Sequence, residues 1–228
     1  MSLILYYHPL SSFCHKVLIA FDDTGVEFDG RIVNLGDAES SAELRSRWPL
    51  AKFPLLRDPQ RDLDLPESSI IIEYLDRFAP ESRRMLPTDP DQALEARLWD
   101  RFFDLHVQQP LQKIVGDRIR KPEDSDPKGV ADARAALVVA YGIAERRMQG
   151  REWAAGERFG MADCAAAPAL FYASILVPIA DEQRALSGYF ERLVARPSVV
   201  RVIEQAQPYF KYFPFLEAMP ARFRGTAP

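Results

Sequence analysis

Leu3-Ile4-Leu5-Tyr6-Tyr7-His8-Pro9-Leu10-Ser11-Ser12-Phe13-Cys14-His15-Lys16-Val17 is the stretch that decides the fold. Leu3 to Tyr7 is a short apolar and aromatic run, the pattern of a buried strand. Pro9 ends it, because proline has no N–H to give to a ladder. Phe13, Val17, Ala20 and Phe21 then recur at i, i+4, i+7 and i+8, one face of a helix that Gly25 closes at C′. Ser11 and Ser12 fall at the start of that helix, where a hydroxyl can cap and free backbone N–H groups point outward.

A helix N-terminus carries partial positive charge and favours an anion. A free thiol has a pKa of about 8.5, and such a site lowers it, so that thiolate forms near neutral pH. That thiol is either the chain's own Cys14 or one carried by a ligand. Strand, loop, Ser-Ser-Phe-Cys and helix resembles the layout of a glutaredoxin-like site, with Ser11 where the nucleophilic cysteine stands. Serine is a hydrogen-bond donor and not a redox centre, which points to stabilising another molecule's thiolate. The plainer alternative is that Ser11 or Ser12 is an N-cap and nothing more.

Composition narrows the classes. With 228 residues and 47% hydrophobic content, the chain can build a large core as one large domain or two small ones. A net charge of −4 with both signs interspersed argues against a nucleic-acid partner. No apolar run approaches the roughly 20 residues that span a bilayer, and the N-terminus lacks a signal-peptide pattern. Two distant cysteines, Cys14 and Cys164, suit reduced thiols in a cytoplasmic setting better than a disulfide framework. No cluster has metal-ligand spacing.

Further along, Val26 to Val33 reads as a strand, parallel to the first because a helix lies between them. Ser40 and Ser41 cap a short helix through Arg47. Phe53 to Arg57 and Asp62 to Leu65 are short strands about the turn Asp58-Pro59-Gln60-Arg61. Ser68 and Ser69 open a helix with Ile71, Ile72, Leu75 and Phe78 on its apolar face. This order is that of a thioredoxin-like α/β domain over residues 1–78. Residues 79–90, with three prolines, read as a linker, and 91–228 as an all-helical domain. There Leu94, Leu98, Phe102, Leu105 and Val107 mark one long helix with Pro110 at a kink. Gly129 to Gln149 marks a second. Met161 to Leu176, almost wholly apolar, marks a buried central helix, followed by shorter helices at 190–195 and 199–206.

Two segments of the first half carry chemistry. In Lys52-Phe53-Pro54-Leu55, a cis-proline in a thioredoxin-like setting would turn the backbone of Phe53 outward as an edge for a peptide-like ligand. In Pro66-Glu67-Ser68, helix amides and the Ser68 hydroxyl suit a carboxylate, while Glu67 suits an ammonium group. An α-amino acid carries both. Taken alone, that segment is equally well a helix cap with an acidic first turn.

Ser11 to Val17, Pro49 to Leu56 and Glu67 to Leu75, in that order and spacing, resemble the cytosolic glutathione S-transferases over nearly the whole chain. The resemblance implies a transferase that conjugates the thiolate of glutathione, its co-substrate, to a small hydrophobic electrophile. It further implies a homodimer and no metal or redox cofactor. Glutathione is expected at Lys52, Phe53, Pro54, Glu67 and Ser68. Ser11 is the expected thiolate donor, with Ser12, Tyr7 and Cys14 as alternatives; Tyr6 lies beside Tyr7 at the strand end. The Ser-Ser loop is also similar to the zeta class. The segment around His106 is similar to a bacterial cysteine-type class and places His106 at the electrophile site. Asp163 matches the capping aspartate of the family's central helix and is assigned to stability. A glutathione-dependent isomerase or dehalogenase, a reductase using Cys14, and a non-enzymatic binding module stand as alternatives on the same fold.

Overall fold

The computed structural model describes residues 2–225. The first part of the chain runs β1 (Leu3–Tyr7), α1 (Ser12–Thr24), β2 (Phe28–Ile32), α2 (Ala38–Arg47), β3 (Leu55–Asp58), β4 (Leu63–Pro66) and α3 (Ser68–Leu75). The sheet order is β2-β1-β3-β4, with β1 parallel to β2 and the other pairs antiparallel. A helical crossover permits the parallel pair, and the tight β3–β4 turn imposes the antiparallel one. The period-2 alternation of β1 divides its side chains between two cores. Leu3 and Leu5 face α1 and the main core, whereas Tyr6 joins Leu44, Val33 and Leu55 on the α2 side. A small mixed α/β domain is thus followed by a helical one.

The helical part comprises α4 (Pro90–Phe102), a π-helical stretch (Phe103–Gln108), α5 (Gln109–Arg118), α6 (Pro127–Met148), α7 (Met161–Leu176), α8 (Arg184–Ala195) and α9 (Pro197–Ala206). Helix α7 is the centre, buried along its length except at Ser174, and it packs on α1 and α4. Asp163 secures its start. One carboxylate oxygen accepts from Gly160 N–H at 3.0 Å, and the other from Ala154 N–H at 2.9 Å and the Tyr189 hydroxyl at 2.5 Å. Complete burial pushes that carboxyl up to about 6. Among the described residues no helix is long and apolar enough to cross a membrane.

Several local expectations change. Asp37, not Ser40 or Ser41, caps α2, its Oδ2 accepting from Ser40 N–H at 2.8 Å. Strands β3 and β4 begin at Leu55 and Leu63. Phe78 lies beyond the end of α3 and is 42% exposed, because the helix stops at Leu75. The expected single long helix is continuous from Pro90 to Arg118, and the irregularity expected at Pro110 takes the form of the π-helical stretch. Pro110 lacks the N–H for the usual bond to residue 106, and just before it the turn widens, with Gln109 N–H reaching Asp104 O. The buried stripe of α4 is Ala93, Ala96 and Asp100. Of the residues that mark this helix in the sequence, Leu94, Leu98 and Leu105 are 66%, 62% and 41% exposed, whereas Phe102 and Val107 are buried. Residues 226–228 of the expected second domain lie outside the described residues.

Candidate functional site

The loop between β1 and α1 is fixed by its own backbone. Ser11 N–H donates to His8 O at 3.0 Å, and His15 N–H donates to Ser11 O at 2.9 Å. Ser11 is the N-cap of α1, its Oγ accepting from Cys14 N–H at 3.4 Å. A hydroxyl has one proton and two lone pairs, so capping with a lone pair leaves the proton free to donate. Cap and thiolate donor are therefore compatible roles for one side chain.

Two cavities meet at Ser11. The larger, of about 450 Å3, is lined by Ser11, Trp48, Lys52, Phe53, Glu67 and Ser68, together with Pro54 and Gln109. The Phe53–Pro54 peptide is cis. The β1–β3 ladder reaches only to Leu55, leaving Phe53 beyond its end. Glu67 stands at φ +72° just before α3, exposed, while Ser68 is buried in the first turn with the helix N-terminus beside it. The smaller cavity, of about 220 Å3, is lined by Leu10, Ser11, Ser12, Phe53, Gln108, Leu111, Gln112, Val115, Tyr172, Phe213 and Pro214. Ser11, Phe53 and Gln112 belong to both.

The other sequence candidates fall elsewhere. Cys14 is fully buried, its Sγ accepting from His8 N–H at 3.5 Å, and burial pushes its thiol up to about 12. It is protonated at neutral pH and withdrawn from solvent, the opposite of a reactive cysteine. The Tyr6 hydroxyl is engaged with α2, donating to Glu43 Oε1 at 2.7 Å and accepting from Arg47 Nε at 3.1 Å. Tyr7 packs edge-on against Phe28, and its ring lies close over Gly30. It lines neither cavity. His106, expected at the electrophile site, also lines neither. It is exposed and packs on the Phe102 ring. Gln108, Leu111, Gln112 and Val115 follow i, i+3, i+4, i+7 spacing toward the cleft, and a residue two positions before Gln108 falls on the other side.

Other residues at the site carry no motif in the sequence. His8 stacks on Phe53 with centroids 6.0 Å apart and meets Tyr209 edge-on at 5.3 Å. Its Nδ1 accepts from Leu10 N–H at 3.1 Å, and burial lowers its pKa. Behind the α3 N-terminus, the buried Lys16 Nζ lies 2.6 Å from Asp100 Oδ1 and 2.8 Å from both Asp104 Oδ2 and Ser69 Oγ. Ser69 also donates to Asp100 at 2.7 Å. This network ties α1, α3 and α4 together behind Ser68.

Comparison with known proteins agrees with the geometry. A family model described as the N-terminal domain of glutathione S-transferase matches residues 5–83, and one for the C-terminal domain matches residues 110–197. A probable glutathione S-transferase of Glycine max is 29% identical over 210 residues, 89% of this chain and 88% of its own. A glutathione S-transferase structure from Methylobacterium radiotolerans, in complex with glutathione sulfonate, is 26% identical with a TM-score of 0.76, covering 89% of this chain and 94% of that one. Another, from Methylobacillus flagellatus with glutathione bound, is 23% identical with a TM-score of 0.80, covering 88% and 98%. The two matched models occupy most of the chain in the order of the family's two domains, and the protein belongs to the cytosolic glutathione S-transferase superfamily.

Proposed function

We propose that the protein is a glutathione transferase that holds glutathione in the larger cavity and a small electrophile in the smaller one. The observation that carries this reading is that Ser11 forms part of both walls. A sulfur held at Ser11 Oγ faces the second cavity, so the thiolate and its target approach each other without either leaving its site. The γ-glutamyl end pairs its carboxylate with Ser68 and the α3 amides, and its ammonium with Glu67. The cysteinyl backbone lies along Phe53, preceding the cis-Pro54 peptide, and Lys52 at the rim offers a charge to the remaining carboxylate. The Ser11 hydroxyl donates to the sulfur at the positive end of α1, which favours thiolate over thiol.

Exposed apolar side chains on α3 and α4 support an assembly as well. Ile70 on α3 and Leu94 and Leu98 on α4 are 49%, 66% and 62% exposed. Such a stripe suits a second copy of the chain, and we place the homodimer contact there.

The decisive experiment compares Ser11→Ala and Cys14→Ala across pH, with a chromogenic aryl halide as electrophile. Ser11→Ala should raise the pKa of bound glutathione and slow conjugation at neutral pH, with partial recovery as pH rises. Cys14→Ala should be nearly harmless. A folded Cys14→Ala protein that binds glutathione but has lost all turnover would overturn the assignment in favour of a reductase.

A further inference from the structure

Three backbone groups of the turn between β1 and α1 are each held by a histidine. Ser11 N–H donates to His8 O at 3.0 Å, closing a turn with Pro9 at its second position. Leu10 N–H donates to His8 Nδ1 at 3.1 Å, and Pro9 O lies 2.6 Å from His15 Nε2. Pro9 has no N–H, so both amides that lead into α1 end on His8. A side-chain acceptor for the amide two positions on is the arrangement that Asn and Asp make in an Asx turn. Burial lowers the His8 pKa, so at neutral pH Nδ1 keeps the lone pair that the Leu10 amide needs.

The same ring also meets the segment leading into β3. The β1–β3 register pairs Tyr6 with Leu55. Carried two residues on, it sets His8 opposite Phe53, where the ladder has ended. The pair meets through its side chains, stacked at 6.0 Å with the rings 22° apart. Tyr209, from the segment that follows α9, closes on the His8 ring edge-on at 5.3 Å. His8 lines neither cavity, whereas Ser11 and Phe53 line both.

Resting on the transferase reading, we propose that His8 is a positioning residue with two separable handles: its Nδ1 fixes the loop that carries Ser11, and its ring fixes Phe53. The first handle sets where the Ser11 hydroxyl meets the glutathione sulfur, because Leu10 immediately precedes Ser11. The second sets the wall at Phe53, which lies beyond the end of the ladder and is anchored through its ring. A shift of about 1 Å at a reacting group costs up to about a hundredfold in rate, so a loop bond of ordinary strength has a kinetic readout.

Two substitutions separate the handles. His8→Asn keeps an acceptor for the amide two residues on and removes the ring. His8→Phe keeps the ring and removes the acceptor. With glutathione and a chromogenic aryl halide, His8→Asn should raise the KM for glutathione about fivefold, the scale of one aromatic pair. Its kcat and the pKa of bound glutathione should stay at their wild-type values. His8→Phe should leave that KM unchanged, lower kcat at neutral pH about fivefold, the scale of one hydrogen bond, and raise the pKa of bound glutathione. Variants with wild-type kinetics, or variants that move KM and kcat alike, overturn the assignment to His8 and leave the transferase reading standing. Phe53→Leu removes the stack from the other side and should also raise KM, with the double variant His8→Asn, Phe53→Leu no worse than the worse single; additive increases overturn the ring handle. Amide exchange tests the first handle without any variant. The Leu10 amide of the wild-type protein should be protected at pH 7, and exchange at the free-peptide rate overturns the Nδ1 handle. A wild-type protein with a protected Leu10 amide that neither binds nor converts glutathione overturns the transferase reading, and the catalytic role of the loop with it.

Discussion

His15 offers a direct measure of how firmly the loop bearing Ser11 is held. It lies one turn into α1 and is 2% exposed, with Nε2 2.6 Å from the Pro9 carbonyl oxygen and its ring against Tyr172. The Nε2–H tautomer donates to Pro9 O, pinning the loop one residue before Leu10. Burial depresses the imidazole from 6.5 to about 4, since a second proton would place a charge in the core. Between those values the unfolded chain binds a proton that the folded chain refuses. Stability is therefore complete above pH 6.5 and lost as pH falls toward 4. The gap from 6.5 to about 4, at about 1.4 kcal/mol per pH unit, is worth about 3 kcal/mol. Asp163 has the opposite sign. Its carboxyl is raised to about 6 against an unfolded value of about 3.9, so its contribution is complete below pH 4 and lost as pH rises through 6. The wild-type profile alone hides both effects. His15→Gln keeps an N–H donor for Pro9 and does not titrate, so urea unfolding of both proteins at pH 7 and pH 4 isolates the histidine. The wild-type advantage over the variant should shrink by about 3 kcal/mol between the two pH values. A difference that is the same at both would refute a neutral, buried His15.

Further perturbations probe the rest of the site. Lys16→Met leaves Asp100 and Asp104 buried without their cation and should cost about 3–5 kcal/mol of stability, read by denaturant unfolding; a loss below about 1 kcal/mol would mean the carboxylates do not depend on it. Glu67→Ala with Ser68→Ala should weaken glutathione binding by about 1.5–3 kcal/mol for each lost charged contact, measured by titration calorimetry, and unchanged affinity would move the α-amino-acid end elsewhere. Leu94→Glu with Leu98→Glu should convert a dimer to a folded monomer in sedimentation equilibrium, and a wild-type monomer at micromolar concentration would contradict the proposed contact.

The elements legible in the sequence are those with an uninterrupted pattern. The β1–α1 stretch reads correctly because Pro9, Ser11 and Gly25 punctuate it, with Gly25 at φ +73° where an L side chain is disfavoured. Helix α7 matches its expected span because nearly every side chain is apolar and buried. Helix α4 misleads for the same physical reason reversed. Leu94 and Leu98 give an apolar period, yet the face turned to the core carries Ala93, Ala96 and the charged Asp100. Periodicity identifies an apolar stripe without saying which surface will cover it. Nor does it reveal that Lys16 on α1 would meet Asp100 and Asp104, because a buried ion pair between distant segments looks, in sequence, like a solvated face.

The same limit separates the two cavities that meet at Ser11, one readable in the sequence and the other not. Lys52, Phe53, Glu67 and Ser68 lie within short segments of one domain, where backbone geometry dictates what sits beside what. The smaller cavity is assembled from the β1–α1 loop, α5, α7 and the segment around Phe213, and each contributes residues that are ordinary in isolation. Gln108 is the last residue of the widened turn before Pro110, so its register depends on a backbone irregularity that Pro110 signals without specifying. The consequence is a division of labour. Ser11 and Phe53, in the walls of both cavities, are fixed by the first domain, where the proposed function places the thiol chemistry. Exchange of Leu111, Val115 or Tyr172 on the helical side redraws the smaller cavity without touching the Glu67–Ser68 end of the larger one. On the proposed function, substitutions on α5 and α7 should change specificity at little cost to glutathione affinity, because those helices supply none of the Lys52, Phe53, Glu67 and Ser68 wall.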